Sequence, residues 1–364
     1  MNKKLNKMNK KQSKNKDFTY RCYDLAYQAN GRQSPNPMVG AVITYNDRII
    51  GEGFHQRYGT NHAEINAIHS VKDPSLLKKA AIYVSLEPCF HTGKTPPCVQ
   101  KIIEKEIKQV HISIKDINPL TAGKSIEILK NNHFDVQEGL LVEKGKELIR
   151  HFTTNIEKKR PYILLKYAIS QDGFMGKKNE QIWLSNPFSK RLVHLWRSKF
   201  DAILTGGNTA RTDNPQLSTR FFDKRNPLRV ILTKSGHLSE KLHIFDQNAP
   251  TLIATTNHKL FFPETQTEVL KLNPKKDYLR ELMEALLAQK NIGTIIIEGG
   301  AETLQSFIDA NLWDEARVIK TPKILKNGIP MPNLPNAVLV DHYPMDTDDV
   351  FVYRNELNVE GVES

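Results

Sequence analysis

Apolar residues along this chain follow two periods in turn. Short apolar runs bounded by turn residues read as strands, and stretches in which apolar positions recur every third or fourth residue read as helices. The apolar spacing over 18–33, with Leu25, Ala26 and Ala29 on one side, predicts a helix ending at Gly31, and Ser34-Pro35-Asn36-Pro37 breaks the pattern. Residues 38–43 and 48–54 predict a strand pair turned at Tyr45-Asn46-Asp47. A helix follows from His62 to Val71, with Ile65, Ala67 and Ile68 as packing positions. Next come a strand over 80–87, a helix opening at Cys98, strand 110–114, helix 125–130 and strand 134–136.

Strands and helices in alternation predict a sheet covered on both faces, so residues 17–145 read as a three-layer α/β domain. The charged stretch 146–160 reads as a helical connector closing at Lys158-Lys159-Arg160-Pro161, after which the pattern begins afresh. Strands are predicted at 162–168, 201–205, 229–233, 251–255, 293–297 and 317–321, with helices at 187–199, 277–289 and 302–310. Residues 161–364 therefore form a second α/β domain, in keeping with a 364-residue chain that exceeds one typical core.

The net charge of +12 suggests a polyanion as partner, but its distribution weakens that reading. Seven lysines and no acid lie within residues 3–16, a Lys/Asn/Gln-rich stretch that buries little and reads as a disordered tail over 1–16. The tail has no apolar segment of a secretory signal, and no stretch of the chain reaches the ~18 apolar residues of a membrane span. Three cysteines make no disulfide framework, which favours a reducing, cytoplasmic setting.

Two of those cysteines carry the candidate chemistry. His62, Cys89 and Cys98 supply three ligands of the type a catalytic zinc uses while keeping its fourth position for water. Glu64, two residues after the histidine, is then free to move a proton. Histidine-x-glutamate followed by Pro88-Cys89 and a second cysteine is the signature of zinc nucleobase deaminases. Two cysteines alone would read as inert core residues, and it is the conjunction with His62-Ala63-Glu64 that favours metal. Eight residues separate the thiols where the general signature has two, and that insert is polar with Lys94 at its centre.

In the second domain, Thr205-Gly206-Gly207-Asn208-Thr209 and Glu298-Gly299-Gly300-Ala301-Glu302-Thr303 each follow an apolar strand. Glycines there let backbone N–H groups approach a phosphate, although the same residues serve equally as tight turns. Neither turn matches G-x-G-x-x-G, so the dinucleotide fingerprint of a Rossmann fold is absent. Asp213 and Arg220 close behind the first turn suit sugar hydroxyls and a phosphate, or a surface salt bridge.

From about residue 18 onward the chain resembles the bifunctional pyrimidine deaminase/reductases of riboflavin biosynthesis. The resemblance rests on Asn36-Pro37-Met38-Val39-Gly40, on His62-Ala63-Glu64, and on Ser85-Leu86-Glu87-Pro88-Cys89 through Gly93-Lys94-Thr95-Pro96-Pro97-Cys98, whose long cysteine spacing is that family's own. In the second domain it rests on 166–173, 203–220 and 295–304. It implies a cytidine-deaminase-like domain followed by a dihydrofolate-reductase-like α/β domain. The implied first reaction is zinc-dependent hydrolytic deamination of 2,5-diamino-6-(5-phosphoribosylamino)pyrimidin-4(3H)-one by Glu64, with Asn36, His91 and Lys94 on the substrate. The implied second is NADPH-dependent reduction of the ribosyl group to a ribityl chain. Ala168, Trp183, Thr209, Asp213, Gly300, Ala301, Glu302 and Thr303 would contact the cofactor. Gln181, Arg197, Leu217, Arg220 and Glu298 would face substrate. Ala168 stands where the family commonly has glycine and Gln181 where it often has serine.

The partner implied is a small phosphorylated pyrimidine, with no membrane and no specific nucleic acid, in a chain that can form a homo-oligomer. Three rivals stand beside this reading: a deaminase acting on nucleic acid, suggested by charge, a non-enzymatic zinc-stabilised binding protein, and a deaminase whose second domain has lost reduction.

Overall fold

Val42 and Ile43 are wholly buried although they are consecutive, because strand β1 (Gly40–Tyr45) lies inside a sheet whose two faces are both covered. The computed structural model describes residues 2–91, 96–119, 121–178, 180, 182–222, 226–260 and 267–358, and the chain divides into two compact units, Met1–Lys158 and Lys159–Ser364.

In the first unit β1 pairs antiparallel with β2 (Arg48–Phe54) and with β3 (Ala81–Leu86), and β4 (Gln109–Ile114) and β5 (Asp135–Glu138) extend β3 in parallel. The order is β2-β1-β3-β4-β5. The period-two alternation of the strands sorts their side chains between layers. Ile43, Ile82 and Val110 pack with α2 (Ala63–Ser70), α3 (Cys98–Glu104) and α4 (Lys124–Asn131), whereas Val42 and Tyr83 pack with Cys22 and Leu25 of α1 (Asn2–Tyr27). α5 (Val142–Lys158) sets Leu148 and Ile149 against Leu86 and Ile114. This is the three-layer α/β arrangement expected from the alternation.

α1 begins at Asn2, well before the Phe18 start that the apolar spacing suggests. No proline or glycine interrupts 3–17, so the helix can extend from its packed C-terminal half. Its end nearest that half is docked: Asn15 is buried and accepts a 2.8 Å hydrogen bond from the Tyr83 hydroxyl, and Lys14 pairs with Asp47 at 2.5 Å. Residues 14 and 15 thus belong to the folded unit and not to an unstructured tail.

The second unit is built on a nine-stranded sheet of order β11-β10-β9-β8-β12-β6-β13-β16-β15. Seven strands run parallel: β6 (Tyr162–Ile169), β8 (Ala202–Gly206), β9 (Leu228–Thr233), β10 (Thr251–Thr255), β11 (Thr267–Lys271), β12 (Thr294–Ile297) and β13 (Glu315–Lys320). Their near-continuous Val, Ile and Leu content follows from burial on both sides. Ile163, Leu165 and Ile295 pack under α8 (Tyr278–Lys290) and α9 (Ala301–Asp309). Leu164, Ile203 and Ile296 pack under α6 (Pro187–Lys199) and α7 (Gly207–Asp213). A short ribbon of β7 (Phe174–Gly176) and β14 (Ile329–Pro330) stands apart from the sheet.

The antiparallel hairpin β15 (Ala337–Met345) and β16 (Asp348–Asn355) closes one edge and is not foreseen by the apolar pattern. Val338, Leu339 and Val340 of β15 are all exposed, so its apolar residues mark an edge and carry no alternation. A buried bidentate pair, Arg160 to Asp314 at 2.6 and 2.8 Å, ties the start of this unit to the approach to β13.

Candidate active sites

The first candidate site forms where α2 and α3 begin. β2 carries Gly51 and Gly53 beneath α2, and a Cβ at Gly53 would lie 2.3 Å from the Ala67 nitrogen, so only glycine allows this approach. His62 is the N-cap of α2, and its carbonyl accepts the Asn66 N–H at 3.1 Å while the Asn66 amide holds the Phe54 carbonyl at 2.9 Å. Cys98 opens α3 after Pro97, and the Val99 N–H donates to the Cys89 carbonyl at 3.1 Å. That hydrogen bond closes the long cysteine insert and brings the thiols together.

His62 Nδ1 lies 3.4 Å from each sulfur, and the three ligand atoms fall within 4.8 Å of one another. A tetrahedral zinc with Zn–S of ~2.3 Å and Zn–N of ~2.0–2.1 Å needs nitrogen–sulfur separations of roughly 3.5 Å. The triad therefore has the spacing and donor chemistry of a zinc site with one open position. Cys89 is held well below the ordinary thiol range, first by the hydrogen bond from Cys98 and then by His62. The Cys98 N–H at the helix start adds a 3.4 Å contact to the Cys89 sulfur.

Glu64 is 3 % exposed, in the first turn of α2. Burial is the main cause that raises its carboxyl to about 7, with the Cys89 charge second, which suits a group that must both take and give a proton. Asn36 donates from Nδ2 to His55 Nε2 at 3.0 Å, and His55 in turn gives its Nδ1–H to the Asn61 carbonyl at 3.1 Å. The His55 ring stands edge-on to His62 with centroids 5.1 Å apart, so Asn36 is held close to the triad through one imidazole. His91 is exposed and packs edge-on to Phe90. Lys94 lies outside the described residues.

Glu87 is a support that the sequence motif contains without revealing its task. Its buried carboxylate accepts the Asp116 N–H at 3.1 Å, the Gly123 N–H at 2.9 Å, and both the N–H and the hydroxyl of Ser125 at 3.2 and 2.7 Å. Ser125 Oγ also reaches the Pro88 carbonyl at 2.6 Å, so the loop after β4 is fastened beside Cys89. An acid directly after an apolar strand is the signal the sequence offers.

The second candidate site lies at the C-terminal ends of β6, β8 and β12, the usual place for ligands in a parallel sheet. Because β8 and β12 are adjacent and parallel, the two glycine turns meet side by side. Gly300 N–H donates to Thr209 Oγ1 at 3.0 Å, and a Cβ on Gly206 or Gly299 would come within 2.3 or 2.7 Å of Thr303. Gly300 is the N-cap of α9, with Ala301, Glu302 and Thr303 in its first turn. Asp213 is the exposed last residue of α7.

Beside these turns Arg197 grips Glu298 with two parallel hydrogen bonds of 2.7 and 2.9 Å, and Lys166 Nζ lies 3.6 Å from the same carboxylate. Burial alone would raise the Glu298 carboxyl, but the Arg197 and Lys166 charges outweigh it and bring it down to about 2. The Arg197 Nη1 continues to the Ser218 carbonyl at 3.2 Å, which also accepts from His194 Nδ1 at 2.8 Å. His194 Nε2 faces the Arg220 guanidinium at 3.5 Å.

Leu217, expected to face substrate, is only 3 % exposed, backbone included, and packs in the core under α6. That backbone has φ of +50°, a strained value for leucine, in the loop between Asp213 and Arg220. Ala168 is half-buried on β6, paired with Ile319. Trp183 is 63 % exposed with Lys190 Nζ 4.8 Å from its ring centre, and no contact among the described residues joins it to the Arg197–Glu298 cluster. Gln181 lies outside the described residues.

Comparison with known proteins gives two family matches. Residues 12–114 match the cytidine and deoxycytidylate deaminase zinc-binding region, and residues 161–333 match the RibD C-terminal domain. The riboflavin biosynthesis protein RibD of Aquifex aeolicus is 34% identical over 327 residues, covering 88% of this chain and 90% of its own. That of Bacillus amyloliquefaciens is 35% identical over 319 residues, covering 85% of both chains. A crystal structure of a diaminohydroxyphosphoribosylaminopyrimidine deaminase/5-amino-6-(5-phosphoribosylamino)uracil reductase from Thermotoga maritima is 33% identical, with a TM-score of 0.87 over 94% of this chain and 99% of that one. The RibD of Acinetobacter baumannii superposes with a TM-score of 0.85 at 29% identity.

Proposed function

The chain belongs to the RibD family of riboflavin-biosynthesis enzymes, and on that premise we propose that it performs two consecutive reactions on one phosphorylated pyrimidine. The observation that carries the first is the triad of His62, Cys89 and Cys98 with Glu64 buried beside it. Zinc bound there supplies a Lewis acid that makes a water acidic near neutral pH. Glu64 takes the proton from the attacking water and delivers it to the departing amine, so that water is consumed, ammonia leaves and a ring carbonyl replaces the amino group of 2,5-diamino-6-(5-phosphoribosylamino)pyrimidin-4(3H)-one. Asn36, oriented by His55, together with His91 and Lys94, holds this substrate.

The second reaction belongs to Lys159–Ser364. NADPH held at the paired glycine turns would supply a hydride for C1′ of the ribosyl group, and a proton reaching the ring oxygen would complete its opening to the ribityl chain of 5-amino-6-(5-phosphoribitylamino)uracil. Thr209, Asp213 and the 300–303 turn, with Ala168 and Trp183, take the cofactor. Arg197, Glu298, Arg220, Gln181 and the loop that holds Leu217 take the substrate. Lys166 and Arg197 give this pocket two buried cations against one carboxylate, an environment suited to an anionic ligand. No helix of the described residues is long and apolar enough to cross a membrane. The unbridged cysteines accord with a reducing cytoplasm.

The deciding experiment supplies the diaminopyrimidine phosphoriboside with NADPH and follows ammonia and nicotinamide absorbance together. Ammonia release preceding NADPH oxidation in equal amount is expected. Ammonia without NADPH oxidation would overturn the second half of the reading, and neither signal in zinc-replete protein would overturn both.

A further inference from the structure

His194 is almost completely buried on α6, at 2 % exposure, yet it belongs to neither of the groups that the two reactions require. Its Nδ1 lies 2.8 Å from the Ser218 carbonyl, an atom that only accepts, so the proton sits on Nδ1 and the Nε2 lone pair is free to accept. That lone pair faces Arg220 Nη2 at 3.5 Å, the long end of a hydrogen bond. Phe221 covers the ring edge-to-face with centroids 5.0 Å apart. The Ser218 carbonyl is shared with Arg197 Nη1 at 3.2 Å, so the imidazole is tied to the same backbone atom as the Arg197–Glu298 pair.

We propose that His194 is a positioning residue for the reductase step, acting on the Arg220 guanidinium from behind through its neutral Nε2. The chemistry of the acceptor matters. A carboxylate in this place would hold the guanidinium more strongly but would cancel the charge that an anionic ligand needs. A neutral imidazole orients the cation and leaves its full charge directed outward. Burial, followed by the charges of Arg197 and Arg220, holds the imidazolium form down to about 4, so the acceptor persists throughout the neutral range. The inference rests on the proposed assignment of Arg220 to the substrate, and predicts that His194 governs binding of that substrate and not of NADPH.

The test uses the full-length zinc-loaded protein and the phosphorylated aminouracil riboside as reductase substrate. His194→Asn keeps a donor for Ser218 but withdraws the acceptor from Arg220, whereas His194→Gln is long enough to restore an acceptor. Expected results are a substrate KM raised about tenfold for His194→Asn, with kcat changed less, and a value within about twofold of wild type for His194→Gln. The KM for NADPH reports an intact unit. His194→Asn should add little to Arg220→Ala, because the pair acts as one. The proposal falls if Arg220→Ala raises the KM but His194→Asn leaves it unchanged, or if the two effects add in full. It also falls if His194→Gln behaves like His194→Asn. An unchanged KM for Arg220→Ala would instead remove the substrate assignment and the proposal with it. Should His194→Asn disturb NADPH binding, His194→Leu, which removes both hydrogen bonds while filling the space, carries the same comparison.

Discussion

Arg197 and Glu298, 101 residues apart, meet through two parallel hydrogen bonds of 2.7 and 2.9 Å with little of either side chain exposed. Lys166 approaches the same carboxylate at 3.6 Å, so one anion compensates two buried cations. Glu298→Gln is expected to leave Arg197 and Lys166 uncompensated and to cost the second unit ~3–5 kcal/mol. Thermal unfolding and NADPH oxidation should fall together in this variant, while ammonia release stays near wild type. Reductase activity at the wild-type level would show that the pair is not part of the site.

Removal of metal tests the triad. A chelator should abolish ammonia release and lower the unfolding temperature of the first unit, because three donors gathered within 4.8 Å of one another then lack a common centre. Glu64→Gln should retain zinc in metal analysis and lose ammonia release by roughly 10²–10⁴-fold. Unchanged deamination by this variant would reduce the zinc to a structural clip.

Acidification has a predictable sign. His194 is held down to about 4 against an ordinary 6.5, by burial first and then by the Arg197 charge. Below pH 6.5 the unfolded chain takes up this proton and the folded one does not, so stability present above 6.5 is lost as pH falls toward about 4. Glu298, at about 2 against an ordinary 4.5, contributes in the same direction at lower pH: its stabilisation is present above 4.5 and is lost as pH falls toward about 2. Unfolding temperatures of the second unit measured from pH 8 to 4 should decline for wild type and decline less for His194→Gln. Equal slopes would show that His194 is not the group responsible.

Glu87 accepts from three backbone N–H groups and one hydroxyl, so its replacement by glutamine turns an NH₂ toward donors. Glu87→Gln should destabilise the first unit by about 1–3 kcal/mol. It should also slow deamination, because the loop it holds is fastened through Ser125 to the Pro88 carbonyl next to Cys89. The unfolding temperature and the zinc content of the purified variant check both. A wild-type melting curve would mean that the Ser125 contacts suffice.

The parts of this protein that chemistry makes local were legible in its residues. The conjunction of His62-Ala63-Glu64 with Pro88-Cys89 and Cys98 placed these residues together, because a metal site needs donors of fixed type at helix and strand ends. The parallel core strands were legible for the reason that burial on both faces leaves unbroken Val, Ile and Leu runs such as Ile295–Ile297. What escaped depends on tertiary contact. The β15–β16 hairpin lies at an edge, where Val338, Leu339 and Val340 remain exposed and the inward–outward alternation is lost. Leu217 could be placed near the site by sequence position, but sequence position shows neither its φ of +50° nor its burial in the core under α6. His55, Glu87 and His194 act on partners 19, 36 and 26 residues away, such as Asn36, Gly123 and Arg220, and no periodicity marks such pairs.

The side-by-side glycine turns restrict how this sequence can drift. A methyl group at Gly206 or Gly299 would strike Thr303, and one at Gly207 would come 2.8 Å from the Thr233 hydroxyl. None of these three glycines can gain a side chain unless Thr303 or Thr233 gives way in the same lineage. Residues 206, 207 and 299 should therefore vary in concert with 233 and 303 wherever relatives depart from this pattern, a correlation of steric origin that would exist even if no ligand ever bound there.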